Sequence, residues 1–215
     1  GQTCWSTIDT AGMAPGRADP HYLNVGDPNG KCWIPAETDV SIRPGWFYHP
    51  SENDKVKSPK ELVNLYYQSV GHNSLLLLNI PPNREGLLSD QDISSIKGFR
   101  EILNETFATN LANGKVPASL TDKKLNTFIS IKTNHPLVID FKKTLTIDRA
   151  MLQENIATGQ RIIKALLDYW DGNEWKQLDE FTTVGYKRLL RFNVLSTQKI
   201  RLTILDSKGT VQLAE

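Results

Sequence analysis

The sequence predicts an α/β segment followed by an all-β segment, and three observations carry that reading. Irregular chain over residues 1–58 leads into a helix, an apolar strand and a second helix that ends before residue 114. From residue 115 the pattern changes to short strands with no helix between them. Helix, buried strand, helix is the rhythm of an α/β barrel or a doubly wound sheet. Closely spaced strands joined by tight turns suggest an antiparallel β-sandwich. The expected division is therefore 1–114 and 115–215. An eight-fold β/α barrel needs about 250 residues, so the first part is read as the C-terminal portion of a (β/α)8-like barrel.

Each element has a local cause. Pro15, Gly16, Pro20, Gly26, Pro28, Gly30, Pro35, Pro44, Gly45 and Pro50 break up the first 58 residues. Irregular chain of that length in a compact domain points to a site. Ser58-Pro59-Lys60-Glu61 is a capping box with proline at the first helical position. Leu62, Leu65, Tyr66, Ser69 and Val70 form the stripe of that helix, and Gly71 is placed to end it. Residues 74–80 are an almost continuous apolar run stopped by Pro81-Pro82-Asn83, which predicts a parallel strand buried on both faces. A second helix is expected over 90–112, with Ile93, Ile96, Phe99, Ile102, Leu103 and Phe107 inward and Gly114 as its stop. Six strands follow, at 137–141, 145–153, 162–170, 174–181, 186–192 and 199–205. Asp171-Gly172-Asn173 turns between two of them.

Composition excludes several function classes. The 25 Lys+Arg nearly balance the 24 Asp+Glu, with no basic stripe interleaved with aromatics, so nucleic acid is not an expected partner. The longest apolar run, 75–78 extended by Ile80, is far short of the roughly 20 residues a membrane span needs. Cys4 and Cys32 offer neither metal-ligand spacing nor a disulfide framework, and no cofactor or metal is expected. Each precedes a Trp, and they are read as buried reduced thiols, a single disulfide being the alternative. Gly1-Gln2-Thr3-Cys4-Trp5 reads as the middle of a folded domain, and no signal peptide is visible in the sequence.

The chemistry concentrates in Trp33-Ile34-Pro35-Ala36-Glu37-Thr38-Asp39-Val40-Ser41-Ile42-Arg43-Pro44-Gly45-Trp46-Phe47-Tyr48-His49, expected to be a loop. Aromatic rings stack on the apolar faces of sugar rings, and carboxylates perform the protonation that glycosidic cleavage requires. The residue types alone leave a second reading open, in which the aromatics are core and Glu37, Asp39 and Arg43 form a structural ion-pair network. His135, between Asn134 and Pro136, is read as a solvated turn residue. Trp170 and Trp175 are read as packing across a hairpin.

This run resembles the active-site segment of the family 29 α-L-fucosidases, in particular the subgroup that favours α-1,3/1,4-linked fucose. The likeness continues through Asp54-Lys55-Val56-Lys57-Ser58-Pro59, Tyr66-Tyr67-Gln68-Ser69-Val70-Gly71 and Asn73-Ser74 to Asn83-Arg84. Gly1–Trp5 and Tyr22–Gly30 fit as well. Gln153–Arg161, Trp170–Lys176 and Thr183–Arg188 resemble a discoidin-like (F5/8 type C) β-sandwich.

The resemblance implies an exo-acting retaining glycosidase that releases terminal α-L-fucose from oligosaccharides or glycoconjugates. It implies a secreted or periplasmic location. Glu37 is expected as the general acid/base, Trp46, Tyr48 and His49 as substrate-binding residues, and Asp39 and Arg43 as partners that orient the loop. The nucleophile is expected upstream of Gly1, in an N-terminal half of the barrel that this chain lacks, so the chain alone should be inactive. His72 stands where the family usually has arginine and is taken as a structural substitution. The alternative function is a non-catalytic carbohydrate-binding or structural module.

Overall fold

The computed structural model describes residues 4–11, 13–14 and 16–215. The Gly1–Thr3 end of the first matching block and the break expected at Pro15 lie outside the described residues.

The first part opens with a short antiparallel pair, β1 (Thr7–Ile8) and β2 (Cys32–Trp33), with α1 (Pro20–Val25) between them. Asp19 caps α1 by accepting from the His21 N–H, and Pro20 takes the first helical position. The stretch expected to be loop contains a strand, β3 (Glu37–Ser41). Its backbone pairs in parallel with β4 (Leu75–Asn79), residue for residue from Glu37 opposite Leu75 to Ser41 opposite Asn79.

Between them runs the crossover helix α2 (Pro59–Gln68). Its capping box is formed: the Ser58 N–H donates to Glu61 Oε2 at 2.7 Å, and the Glu61 N–H donates to Ser58 Oγ at 3.4 Å. Gly71 follows the helix end, where a Cβ would lie 2.4 Å from the Tyr67 carbonyl oxygen. Helix α3 (Asp90–Thr106) packs against α2, with Tyr66 and Phe99 edge to face at 6.0 Å between ring centres. Gly98 allows that approach, since a Cβ there would stand 2.7 Å from Pro59 Cγ. α3 ends six residues earlier than expected. Beyond it the Asn110 side chain accepts from the Ala112 N–H, a local turn that competes with helical bonding.

The parallel direction of β4 matches expectation, but its burial does not. In a parallel pair facing residues share a side, so Glu37, Asp39, Leu75 and Leu77 line one face, and all four are exposed. Leu75 is 58% and Leu77 48% exposed. Among the described residues nothing covers this face.

The second part is antiparallel. Its strands are β5 (Ile129–Ile131), β6 (Leu137–Leu152), β7 (Ile162–Trp170), β8 (Trp175–Phe181), β9 (Arg188–Ser207) and β10 (Val211–Leu213). Four form a sheet in the order β6-β9-β7-β8, and β5 pairs with β10. The six expected strands become four long ones. The break expected between 141 and 145 is a register shift inside β6, with Lys142 at φ 64° and its N–H bonded to Asp140 Oδ1. Ile131, Leu152, Ile162, Leu167, Val184, Leu202, Ile204, Val211 and Leu213 share one core, which joins the β5–β10 pair to the sheet. The β7–β8 turn is built as read. Gly172 has φ 108°, and Asp171 Oδ1 accepts from the N–H groups of Asn173 and Glu174. Trp170 and Trp175 meet edge to face across it at 5.4 Å, and His135 is exposed in a turn.

Asn73 ties the two parts together. It is buried at φ 65°, a left-handed conformation that asparagine tolerates better than most residues. Its Oδ1 accepts from the Tyr186 N–H at 2.7 Å, and its Nδ2 donates to the Cys4 carbonyl and to Ser6 Oγ, both at 3.0 Å. Gly185 presses against it, since a Cβ there would lie 2.5 Å from the amide.

Both cysteines are free thiols; Cys4 is buried and Cys32 half-buried. Burial pushes the Cys4 thiol up to about 11. A chromogenic disulfide at pH 8 should therefore titrate Cys32 in the native protein and reach Cys4 only after denaturation. Two fast thiols in the native protein would count against this packing. Asn73→Ala should cost about 2–3 kcal/mol by leaving the Tyr186 N–H without its acceptor and removing the donor to the Cys4 carbonyl and Ser6 Oγ. In a thermal melt that is a fall of about 5–10 °C for a chain of this size.

Candidate active site

The C-terminal ends of β3 and β4 carry a connected polar cluster. Asn79 Nδ2 donates to Ser41 Oγ at 3.1 Å and to the Trp46 carbonyl at 3.0 Å. The Ser41 hydroxyl donates to the Gly45 carbonyl at 2.6 Å. Lys57 Nζ donates to the Ser41 carbonyl at 2.7 Å and the Arg43 carbonyl at 3.4 Å. The turn that follows β3 is thus pinned to both strand ends.

The chain then runs inward. Ile42 is fully buried and Arg43 is 1% exposed. The Arg43 guanidinium meets Asp92 near the start of α3, with Nε 3.1 and 3.2 Å from its two carboxylate oxygens and Nη2 3.1 Å from Oδ2. Asp92 has no solvent exposure. Nη2 also reaches Ser89 Oγ at 2.8 Å and Asn53 Oδ1 at 2.9 Å, and Nη1 reaches the His49 carbonyl at 3.3 Å. Asn53 comes from the 3-10 turn Pro50–Lys55. Ser89 caps α3 by accepting from the Asp92 N–H and donates its own hydroxyl to Asp92 Oδ2 at 2.9 Å. The Tyr48 ring lies over the guanidinium carbon at 4.6 Å.

From that buried anchor the loop turns outward. Trp46 is 50% and Phe47 78% exposed, Tyr48 is half-buried and His49 exposed. The structure therefore brings Trp46, Tyr48 and His49 together beyond the C-terminal ends of the parallel strands.

Glu37 is not brought with them. It is the first residue of β3, four residues before Ser41, and at about 3.3 Å per residue it lies about 13 Å short of that edge. In parallel β/α folds ligand sites lie at the carboxyl ends of the strands. Glu37 is exposed, on the face of the pair that it shares with Leu75. Asp39 is exposed on the same face, and the carboxylate that pairs with Arg43 is Asp92. Sequence reasoning missed Ser41, Asn53, Asn79 and Asp92. Ser89-x-x-Asp92 is legible as a helix start, but nothing in it names an arginine 49 residues away as the partner. No cluster of metal-ligating side chains occurs among the described residues.

Residues 16–105 match the family model for alpha-L-fucosidase. Over that segment the chain is similar to the alpha-L-fucosidases. It is 37% identical to alpha-L-fucosidase 1 of Arabidopsis thaliana, over 95% of this chain and 44% of that protein. The chain spans less than half the length of the curated relatives it matches, from Arabidopsis thaliana and Oryza sativa subsp. japonica. Among solved structures, SpGH29 aligns with all of this chain at a TM-score of 0.90 and 34% identity, over 50% of its own length. A Ruminococcus gnavus GH29 fucosidase in complex with fucose also aligns with all of it, at 0.86 and 28%, over 47% of its length. The polar cluster and the exposed aromatic loop both lie inside the matched segment, at 41–49 and 79–92.

Truncating Asp92 to alanine leaves Arg43 as a buried charge without its carboxylate. The expected loss is about 3–5 kcal/mol of unfolding free energy, measurable by urea denaturation of the folded chain. A loss below about 1 kcal/mol would mean that the pair carries no more than a surface salt bridge does.

Proposed function

We propose that the protein acts as an exo-acting retaining α-L-fucosidase that releases terminal α-L-fucose from oligosaccharides or glycoconjugates. The observation that carries this reading is the structural likeness, over all of this chain, to part of a fucosidase solved in complex with fucose, joined to the family match over 16–105. The reading includes the preference for α-1,3/1,4-linked fucose, the division near residue 114 into the end of a barrel and a discoidin-like sandwich, and a secreted or periplasmic location.

The exposed face of β3 and β4 supports the barrel. A parallel pair that turns Leu75 and Leu77 to water is an unstable wall by itself. Further strands, supplied by an N-terminal half of the barrel, would bury it. In this reading the chain contributes the strand ends Ser41 and Asn79 and the loop that carries Trp46, Tyr48 and His49. The exposed indole and the phenol ring offer faces for the apolar side of the sugar, and the imidazole offers hydrogen bonds to its hydroxyls. Retention requires two carboxyl groups about 5–5.5 Å apart, one attacking the anomeric carbon and one protonating the departing oxygen. Glu37 is the proposed general acid/base of that pair, and the nucleophile is assigned to a strand outside these 215 residues.

The test uses the full-length protein. Wild type should hydrolyse an aryl α-L-fucoside and a fucosylated oligosaccharide. Heat on titration with such glycans and no turnover would replace the enzyme reading with a binding module. Glu37→Gln should abolish turnover of the oligosaccharide, spare the aryl fucoside and yield β-fucosyl azide when azide is added, and Trp46→Ala should lower kcat/KM on the oligosaccharide about tenfold or more. A Glu37→Gln variant that keeps kcat/KM on the oligosaccharide within about threefold would remove Glu37 from the acid/base role.

A further inference from the structure

Arg43 holds the sugar-facing loop at both of its ends. Its own backbone begins the loop, and its Nη1 holds the carbonyl of His49, six residues on. The face of the same guanidinium lies against Tyr48. Trp46, between them, is held through its carbonyl by Asn79. A guanidinium has five donors in a rigid plane, so its orientation fixes both the His49 carbonyl and the ring it stacks on. What fixes the guanidinium is Asp92, through three contacts of 3.1–3.2 Å. The other acceptors, Asn53, Ser89 and the His49 carbonyl, are neutral. A second cation, the Lys57 ammonium, binds the Arg43 carbonyl, so positive charge gathers at the foot of the loop.

From this arrangement we infer that Asp92 is a positioning residue for sugar binding. It touches no substrate and acts through Arg43 on the loop 44–49. The inference rests on the fucosidase reading, which assigns the sugar to that loop. Removing the charge while keeping the shape, as in Asp92→Asn, leaves two neighbouring cations with no carboxylate in the cluster. The guanidinium then loses its fixed plane, and the Tyr48 ring and His49 move with it. The affinity for the fucosyl ring falls, while the proton transfers, made by carboxyls elsewhere, are affected less.

The experiment compares wild type, Asp92→Asn, Arg43→Lys and Asn73→Ala in the full-length protein, below the melting temperature of each. It measures kcat and KM on an aryl α-L-fucoside and the inhibition constant of free L-fucose. Asp92→Asn should raise KM and the L-fucose constant about tenfold with kcat within about threefold, and Arg43→Lys, which keeps the cation but loses the fork, should move them the same way. Asn73→Ala, destabilised at the junction of the two parts, should leave the L-fucose constant within about twofold. A folded Asp92→Asn and Arg43→Lys with unchanged L-fucose inhibition would overturn the inference and leave the function standing. So would a constant that follows melting temperature across all variants, Asn73→Ala included. A wild-type protein that turns over no α-L-fucoside overturns the functional reading, and the inference with it.

Discussion

The buried contact between Arg43 and Asp92 is the interaction on which the matched part of the chain depends, because it is where three separately formed pieces meet. Arg43 follows β3, Asp92 lies in the first turn of α3, and Asn53 belongs to the 3-10 turn between β3 and α2. Two charges taken out of water are costly, and such a pair is tolerated when its remaining donors and acceptors are filled. Here Ser89, Asn53 and the His49 carbonyl fill them. An apolar pair of similar volume could stabilise the fold as well, but it could not hold a carbonyl and an aromatic ring in one orientation. The contact therefore sets geometry more than it adds stability.

The two parts of the chain solve the burial problem differently. The antiparallel part closes one core with its own strands, helped by Glu154, a buried carboxylate that accepts three backbone N–H groups from Arg161, Ile162 and Gly185. The parallel part has α2 and α3 packed on each other, while its opposite face carries exposed leucines. At their junction Asn73 satisfies backbone groups from both parts, and backbone bonds from Gly71 to Leu189 and from Asn73 to Lys187 continue the seam. His72, at that seam, lies 3.2 Å from Arg188 Nη1 through its Nδ1, a structural position between the two parts.

Much of the fold was legible where the signal is local. The Ser58–Glu61 capping box, the Pro81-Pro82 stop after β4 and the Asp171-Gly172-Asn173 turn depend on side chains within a few residues of the backbone they serve. Strand β3 was misread as loop. Glu37, Thr38, Asp39, Val40 and Ser41 alternate polar and β-branched residues in period two, but prolines at 35 and 44 and the dense charge masked it. The lengths of β6 and β9 were underestimated because a bulge at Lys142 resembles a turn in sequence while the strand runs on through it.

By itself the sequence determined the likeness to alpha-L-fucosidases, the start of each long helix, the parallel sense of β4 and the loop in which aromatic and charged side chains gather. Only the tertiary structure decided which carboxylate Arg43 meets and on which end of β3 each candidate stands. Asp39 is four residues from Arg43 and Asp92 is 49 away, yet the docking of α3 brings the distant one into contact. The extended backbone of β3 sets Glu37 about 13 Å from Ser41, because a strand converts sequence separation into distance where a loop need not.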